Sequence, residues 1–327
     1  MACGDNIFPC APFFFSVDNI DPKEYIEASE FTFYYALTAE RIRVLKYFIP
    51  LDKSWMMRMG MLDLLHGKPR INEVLAAQKK LGDDLQALQR CALAWNVDQP
   101  LDVGESGTLY RFLQFASWKL HLDKHFILRG TLEKRPITCD PSMVGYPLKE
   151  LLKLDNGTSQ WASAAVLMGN QESISNPPYK LKVTYDAVAH WWKQEKEKQS
   201  WLPRYDETIL WQALTFTKLR VGKGRVEFFP QQAEDYCFAR AFGYMTEGTG
   251  EGRWPSLRGH ESDRIQEMEQ ALSEFKGAQW ITSSDHRIVQ AIAMLAKVRQ
   301  EKDVVFFHPE AVNKSWPQFW EFLEAKL

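Results

Sequence analysis

Cysteine is scarce in this chain, with five residues, Cys3, Cys10, Cys91, Cys139 and Cys237. They are odd in number, widely scattered and form no C-x-x-C pair, which excludes a disulfide framework or a zinc ribbon. Free thiols in a reducing, cytoplasmic setting are the expectation. No apolar run approaches the roughly 18 residues that a membrane-spanning helix needs. The apolar patch Phe13-Phe14-Phe15 lacks a basic leader and follows Pro9 and Pro12, so a secretory signal is not expected. A dominant charge is missing as well. Forty Lys and Arg against 42 Asp and Glu leave a net charge of -2, which removes the basic field that a nucleic-acid partner would require.

Several motifs are absent too. There is no G-x-G-x-x-G, no G-x-x-x-x-G-K-[ST] and no G-x-S-x-G, so nucleotide loops and the nucleophile elbow are not indicated. His260-Glu261-Ser262-Asp263-Arg264 starts like the zinc motif H-E-x-x-H, but Arg264 occupies the place of the second imidazole. No metal and no cofactor are expected.

What the chain does have is aromatic bulk: 13% of the residues, including 12 Trp, which predicts well-packed cores. Residues 1–29 show no period and read as an irregular extension. Alternation predicts strands at Arg41–Val44 and Lys46–Ile49, and at Phe126–Leu128, Leu181–Thr184, Thr215–Leu219, Arg225–Phe229, Trp280–Thr282 and Val304–Phe307. Helical spacing of apolar residues predicts helices at Trp55–Leu65, Asp83–Trp95, Leu109–Leu120, Pro147–Leu154, Gln160–Met168 and Tyr185–Lys198. Four more follow at Gln232–Tyr244, Asp263–Phe275, Arg287–Arg299 and Trp316–Ala325. A helix with one or two short strands recurs every roughly 30–40 residues, an α+β repeat rather than a doubly wound parallel sheet.

Three small segments open helices in a way that suits anions. They are Lys53-Ser54 with Arg58 four residues on, Gly104-Glu105-Ser106-Gly107-Thr108, and Thr158-Ser159-Gln160. A helix N-terminus offers free backbone N–H groups and the positive end of the dipole. Each segment alone also reads as a plain N-cap. With the cations Arg135, Arg287 and Lys314, they make a phosphate or carboxylate site a candidate.

In order as well as in kind, these segments resemble the enolpyruvyl transferase family. Lys53-Ser54-x-x-x-Arg58 is similar to that family's K-S-x-S-N-R, and Gly104-Glu105-Ser106-Gly107-Thr108-x-x-Arg111 to G-N-A-G-T-x-x-R. Lys134-Arg135-Pro136-Ile137 resembles R-P-[IM], Thr158-Ser159-Gln160 resembles S-S-Q, and Asn176-Pro177-Pro178-Tyr179 resembles S-x-P-Y. His260-Glu261-Ser262-Asp263-Arg264 is similar to K-E-[ST]-D-R, Asp285-His286-Arg287 to D-H-R, and Lys314-Ser315-Trp316-Pro317 to K-[TS]-[FY]-P.

The resemblance implies two domains built of repeated βαβαββ units: residues 53–225, and residues 30–52 together with 226–327. It implies transfer of the enolpyruvyl group of phosphoenolpyruvate to a hydroxyl of a phosphorylated cyclic alcohol such as shikimate 3-phosphate, with release of phosphate. Phosphoenolpyruvate would be held by Lys53, Gly107, Arg135, Gln160, Arg264, Arg287 and Lys314. The acceptor would be held by Ser54, Arg58, Thr158, Ser159, Gln160 and Tyr179. Glu261, His260 and Lys53 would carry the proton traffic, and a monomer is expected.

Departures from the pattern are equally visible. His260 stands for a Lys, Glu105 for an Asn and Asn176 for a Ser. The stretch between Gln160 and Glu261 is short by about one repeat, and the family's catalytic Asp has no assigned counterpart; Gln231, Glu234 and Asp235 are nearby possibilities. A non-catalytic anion-binding protein on the same fold, or a transferase with another acceptor, therefore stands beside the leading reading.

Overall fold

The computed structural model describes residues 47–222, 235–249, 257 and 262–325. The residues from 45 onward group as one compact unit. The expected extension at residues 1–29, the strands at Arg41–Val44 and Arg225–Phe229, and the acid/base pair His260 and Glu261 lie outside the described residues.

Helix α1 (Lys53–Leu65) starts where Asp52 accepts a hydrogen bond from the Trp55 backbone N–H, at 3.1 Å. Ten consecutive residues from Trp55 to Leu64 are buried, so α1 runs through the first core instead of lying on it. Gly60 allows that. A Cβ there would stand 2.9 Å from both Ile71 and Leu88, which belong to α2 (Arg70–Ala76) and α3 (Asp83–Ala94). Strand β1 (Leu101–Gly104), helix α4 (Gly107–Lys119) and strand β2 (Phe126–Leu128) follow, and the two strands pair in parallel. Next come α5 (Leu148–Leu151), α6 (Gln160–Leu167), α7 (Tyr179–Glu197) and α8 (Glu207–Arg220).

The second half contains α9 (Asp235–Ala241), α10 (Arg264–Lys276), β3 (Trp280–Ile281), α11 (His286–Arg299), β4 (Val305–Phe306) and α12 (Phe319–Glu324). Again a helix joins two parallel strands. The chain thus mixes helix and strand and uses the β–α–β unit twice. One hydrophobic core gathers side chains between Leu51 and Trp201, and a second gathers side chains between Tyr236 and Ala296. Helix α8 packs on α11, and the 3-10 turn Pro309–Lys314 packs on α3, so these elements join the two cores.

Two expected strands are helices. Leu181–Thr184 lies in α7, where Leu181, Thr184, Ala187, Trp191 and Gln194 are buried at steps of three and four. The local alternation was the start of a helical face, and four residues are too few to tell the periods apart. Thr215–Leu219 lies in α8, which Asp206 caps by accepting from the Ile209 N–H at 2.9 Å. There the Thr217 hydroxyl donates to the Ala213 carbonyl at 2.8 Å, a bond that settles a β-branched residue inside a helix. Residues 47–48 are helical where an extended segment was expected, although Leu51 does form an antiparallel bridge with Tyr205. The helix expected at Pro147–Leu154 shrinks to the single turn of α5. Helix α2 and strand β1 were not foreseen; Pro69 stands at the N-cap of α2.

The first core contains a charged knot. Asp63 is fully buried and accepts from the Trp191 indole at 2.8 Å, the Trp201 indole at 3.2 Å and Arg70 Nη2 at 2.6 Å. These donors tie α1, α2, α7 and the Trp201 segment together, and they satisfy a carboxylate that could not otherwise be buried.

Candidate functional site

Four helices begin at one small cleft. It is lined by Lys53 and Ser54 of α1, Tyr179 and Lys180 of α7, Asp206, Glu207 and Thr208 at the start of α8, and Arg287 of α11, with Arg204 and Ser315 beside them. The first turns of α1, α7 and α11 carry no acidic side chain, although the carboxylates of Asp52 and Asp285 cap the starts of α1 and α11. The cavity volume is about 30 Å³, room for a water or two.

Arg287 is the most informative side chain of this cleft. It is only 6% exposed, yet its Nε and Nη1 have no hydrogen-bond partner among the described residues. A buried guanidinium is normally bound at several of its donors. Its own neighbour Asp285 is already occupied: it caps α11 through the Arg287 backbone N–H at 2.8 Å and accepts from Arg264 Nε at 2.9 Å and Ser262 Oγ at 2.8 Å. The Arg287 side chain is therefore held in a partly dry place with donors to spare.

A second, wider cleft of about 470 Å³ lies between Asp83, Asp84, Arg90, Glu105, Arg129 and Arg135 on one side and Ser262, Asp285, His286, His308 and Lys314 on the other. That is a normal volume for a small-molecule site. Lys53 lines the first cleft and forms an ion pair of 2.8 Å with Asp84, which lines the second. Burial against this wall, together with the Asp84 and Glu105 charges, holds the Asp83 carboxyl above the usual carboxylate range, against the pull of Lys314 and Arg90.

Gly107 opens α4, two residues after Glu105, which lines the second cleft. A Cβ on it would stand 3.0 Å from Arg111 Nη1 and 3.5 Å from Arg135 Nη1, so a bare backbone is what lets two guanidinium groups converge on this helix start. Arg111 donates to Gln160 Oε1 at 2.7 Å and pairs with Asp155 at 2.6 Å. Arg135 donates to the Thr131 hydroxyl at 2.7 Å, which in turn donates to Glu105 at 3.1 Å. Burial holds the Arg111 guanidinium below its usual value and the Arg135 charge adds to that, while Asp155 opposes both.

The candidate residues therefore fall into three places. Lys53, Ser54, Tyr179 and Arg287 share the first cleft; Arg135 and Lys314 share the second, with Arg264 tied to its wall through Asp285. Gly107 lies beside Arg135, which lines the second cleft, and beside Arg111, which in turn holds Gln160. Thr158 and Ser159, at the start of α6, line neither cleft, and the Thr158 hydroxyl accepts from the Gln160 N–H. Arg58 faces inward: its donors go to Thr184 Oγ1, Ser163 Oγ and the carbonyls of Ser54 and Lys180. Burial pushes its pKa down to about 10, against the pull of Asp52 and Tyr179.

Lys180, Arg204, Asp84 and Asp285 had not been singled out. The clue for Asp285 was its N-cap position ahead of Arg287, and for Lys180 its place next to Tyr179; nothing local marks Asp84 or Arg204. Among the described residues no group of His, Cys, Asp and Glu is arranged to hold a metal ion, and no helix is long and apolar enough to cross a membrane.

Residues 258–323, which carry Arg264, Arg287 and Lys314, match the family of EPSP synthase (3-phosphoshikimate 1-carboxyvinyltransferase). This part of the chain is EPSP synthase-like. The chain is also 48% identical over 48 residues to the 3-phosphoshikimate 1-carboxyvinyltransferase of Aquifex aeolicus, a match that covers 15% of this chain and 11% of that protein. The likeness to EPSP synthase is thus partial, and the candidates from Lys53 to Tyr179 lie outside the matched residues 258–323. No solved structure matches the chain.

Proposed function

We propose that this chain binds phosphoenolpyruvate in the groove formed by the two clefts and transfers its enolpyruvyl group to an alcohol, with release of inorganic phosphate. The observation that carries this reading is the buried Arg287 guanidinium, whose Nε and Nη1 have no hydrogen-bond partner among the described residues, at a place where four helices begin. A bidentate fork with permanent charge suits a carboxylate or phosphate oxygen pair. The partial match to EPSP synthase in the segment that holds Arg287 supports the choice of anion.

In this reading Arg287 and Arg264 hold one anionic end of phosphoenolpyruvate. Arg135 and Lys314 hold the other, beside the start of α4 at Gly107. Lys53 has to leave Asp84 or swing with it, because the 30 Å³ of the first cleft are too few for the ligand. Binding and widening of the groove are then one event, and the two hydrophobic cores are the two lobes that part. The reaction forms a bond from the acceptor oxygen to the central carbon of phosphoenolpyruvate. A proton reaches its methylene carbon while another leaves the acceptor hydroxyl; a proton then leaves the resulting methyl group, restoring the double bond as the carbon–oxygen bond to phosphate breaks. Glu261 and His260 are the proposed carriers of these protons. The acceptor is a phosphorylated cyclic alcohol, with shikimate 3-phosphate the first to try, and Ser54 and Tyr179 contribute to its side of the groove.

The test is phosphate release from phosphoenolpyruvate and shikimate 3-phosphate by the full chain. Turnover that depends on both substrates is expected; none at enzyme concentrations near those of the substrates contradicts the reading. A second reading, an anion-binding protein without turnover, draws on Arg58, whose donors are consumed by the protein itself. Phosphoenolpyruvate binding with no phosphate release for any alcohol offered would select it.

A further inference from the structure

Glu105 puts a negative charge on the wall of the second cleft, where an anion is to bind, yet its carboxylate is engaged by a neighbouring turn. Strands β1 and β2 pair up to Gly104 and Leu128, and the Arg129 N–H donates to the Gly104 carbonyl at 2.9 Å. That register sets Glu105 against the 3-10 turn Gly130–Lys134. Gly130 seats the carboxylate: its φ is 52°, and a Cβ there would collide with Glu105 Oε1. The other oxygen, Oε2, accepts from the Thr131 hydroxyl at 3.1 Å, and Thr131 Oγ1 accepts from Arg135 Nη2 at 2.7 Å. Among the described residues that is the one hydrogen bond Arg135 makes.

The direction of this relay follows from its chemistry. A carboxylate only accepts and a guanidinium only donates, so the single Thr131 proton points to Glu105 and its lone pairs to Arg135. Arg135 needs such an anchor, because Arg111 converges on the same helix start at Gly107 and the two like charges repel. Arg111 has Asp155 and Gln160 to hold it, whereas Arg135 has Thr131. We propose that Glu105 is a positioning residue for anion binding: through Thr131 it fixes the Arg135 fork beside the start of α4, with the remaining N–H groups left for the ligand. The ligand class is a small phosphate or carboxylate. Its assignment to phosphoenolpyruvate rests on the enolpyruvyl-transfer reading, whereas the relay stands on the geometry alone. Charge repulsion without a relay makes the opposite prediction, since deleting the Glu105 charge would then tighten anion binding.

The experiment uses the full chain as wild type, Thr131→Val, Glu105→Ala, the double variant of those two, and Glu105→Gln, which keeps an acceptor oxygen of the same reach. Phosphoenolpyruvate is titrated calorimetrically, thermal unfolding is recorded, and phosphate release with shikimate 3-phosphate gives the KM of each substrate. Thr131→Val and Glu105→Ala are each expected to weaken phosphoenolpyruvate about three- to tenfold, as for the loss of one exposed hydrogen bond. The double variant should lose no more than either single one, because both cut the same relay. Glu105→Gln should restore most of the affinity that Glu105→Ala loses. The KM for phosphoenolpyruvate should rise with its Kd while that for shikimate 3-phosphate holds. Both bonds are solvent-exposed, so unfolding temperatures close to that of wild type are expected and separate this from a folding defect. A Glu105→Ala protein that binds phosphoenolpyruvate as well as wild type, or tighter, would overturn the proposal. Losses that add in the double variant would do so too, and a wild type that binds no phosphoenolpyruvate would remove both the proposal and the transfer reading. Binding that depends on Thr131 and Glu105 without phosphate release would keep the relay and remove the reaction. Transfer with an unchanged phosphoenolpyruvate KM in both single variants would keep the reaction and remove the relay.

Discussion

Replacing Arg287 by Met should make the ligand-free protein more stable, not less. Arg287 is 6% exposed and two of its nitrogen donors lack partners among the described residues, so the fold carries a desolvation penalty at those two nitrogens. Leaving a buried donor unmade costs about 1–3 kcal/mol. Met keeps most of the stem and its packing while removing the polar head, so the expected gain is about 1–3 kcal/mol in total. For a chain of this size that corresponds to a rise in unfolding temperature on the order of 2–6 °C. The sign reverses with ligand. An anion at 1,000 times its Kd stabilises wild type by about 4.1 kcal/mol, more than the expected gain of the variant, and a variant that has lost the site gains nothing. Differential scanning calorimetry of both proteins, with and without phosphoenolpyruvate, reads both signs. A ligand-free Arg287→Met protein that unfolds at lower temperature than wild type would refute the reasoning, because the guanidinium would then be part of the fold's own bonding.

Other expectations follow from the same structure. Asp63→Ala should cost about 3–5 kcal/mol, because Arg70 and the indoles of Trp191 and Trp201 lose their common acceptor; chemical denaturation measures it, and a loss below 1 kcal/mol would contradict the assigned role. Cys91 and Cys237 should resist alkylation in the native protein, since burial pushes both thiols up to about 12, while the exposed Cys139 should react; peptide mapping of labelled native and unfolded protein distinguishes them. Burial alone would raise the Asp155 carboxyl, but hydrogen bonds from Thr138 and the Arg111 charge outweigh it and hold the group below the usual carboxylate range. Its stabilisation is therefore full above the unfolded-state value of about 3.9 and fades as the pH falls through the lower folded value. Asp155→Asn should be less stable at neutral pH and lose less stability on acidification, which pH-dependent denaturation curves would show.

The sequence was most readable where pattern length exceeded the ambiguity of its period. The helices now seen as α10 and α11 were placed to within a few residues, because each runs for 13 or 14 residues behind an Asp cap, Asp263 or Asp285. Leu181–Thr184 and Thr215–Leu219 misled because four or five alternating residues fit either period, and burial on one helix face becomes visible only over the full lengths of α7 and α8. At the site, motif order pointed to Lys53, Ser54, Tyr179 and Arg287, which do come together. It could not show that Arg58 would turn inward, since its partners Thr184 and Lys180 are more than 120 positions away. Nor could it show that Nε and Nη1 of Arg287 have no hydrogen-bond partner among the described residues. That is a property of the packed interior, and no spacing encodes it.

A structure of the full chain with phosphoenolpyruvate bound tests the central claim most directly. The account predicts a widened groove, with a carboxylate or phosphate oxygen pair of the ligand within hydrogen-bond distance of Arg287 Nε and Nη1. A ligand bound away from Arg287, or a groove that stays closed and empty at saturating phosphoenolpyruvate, would contradict it.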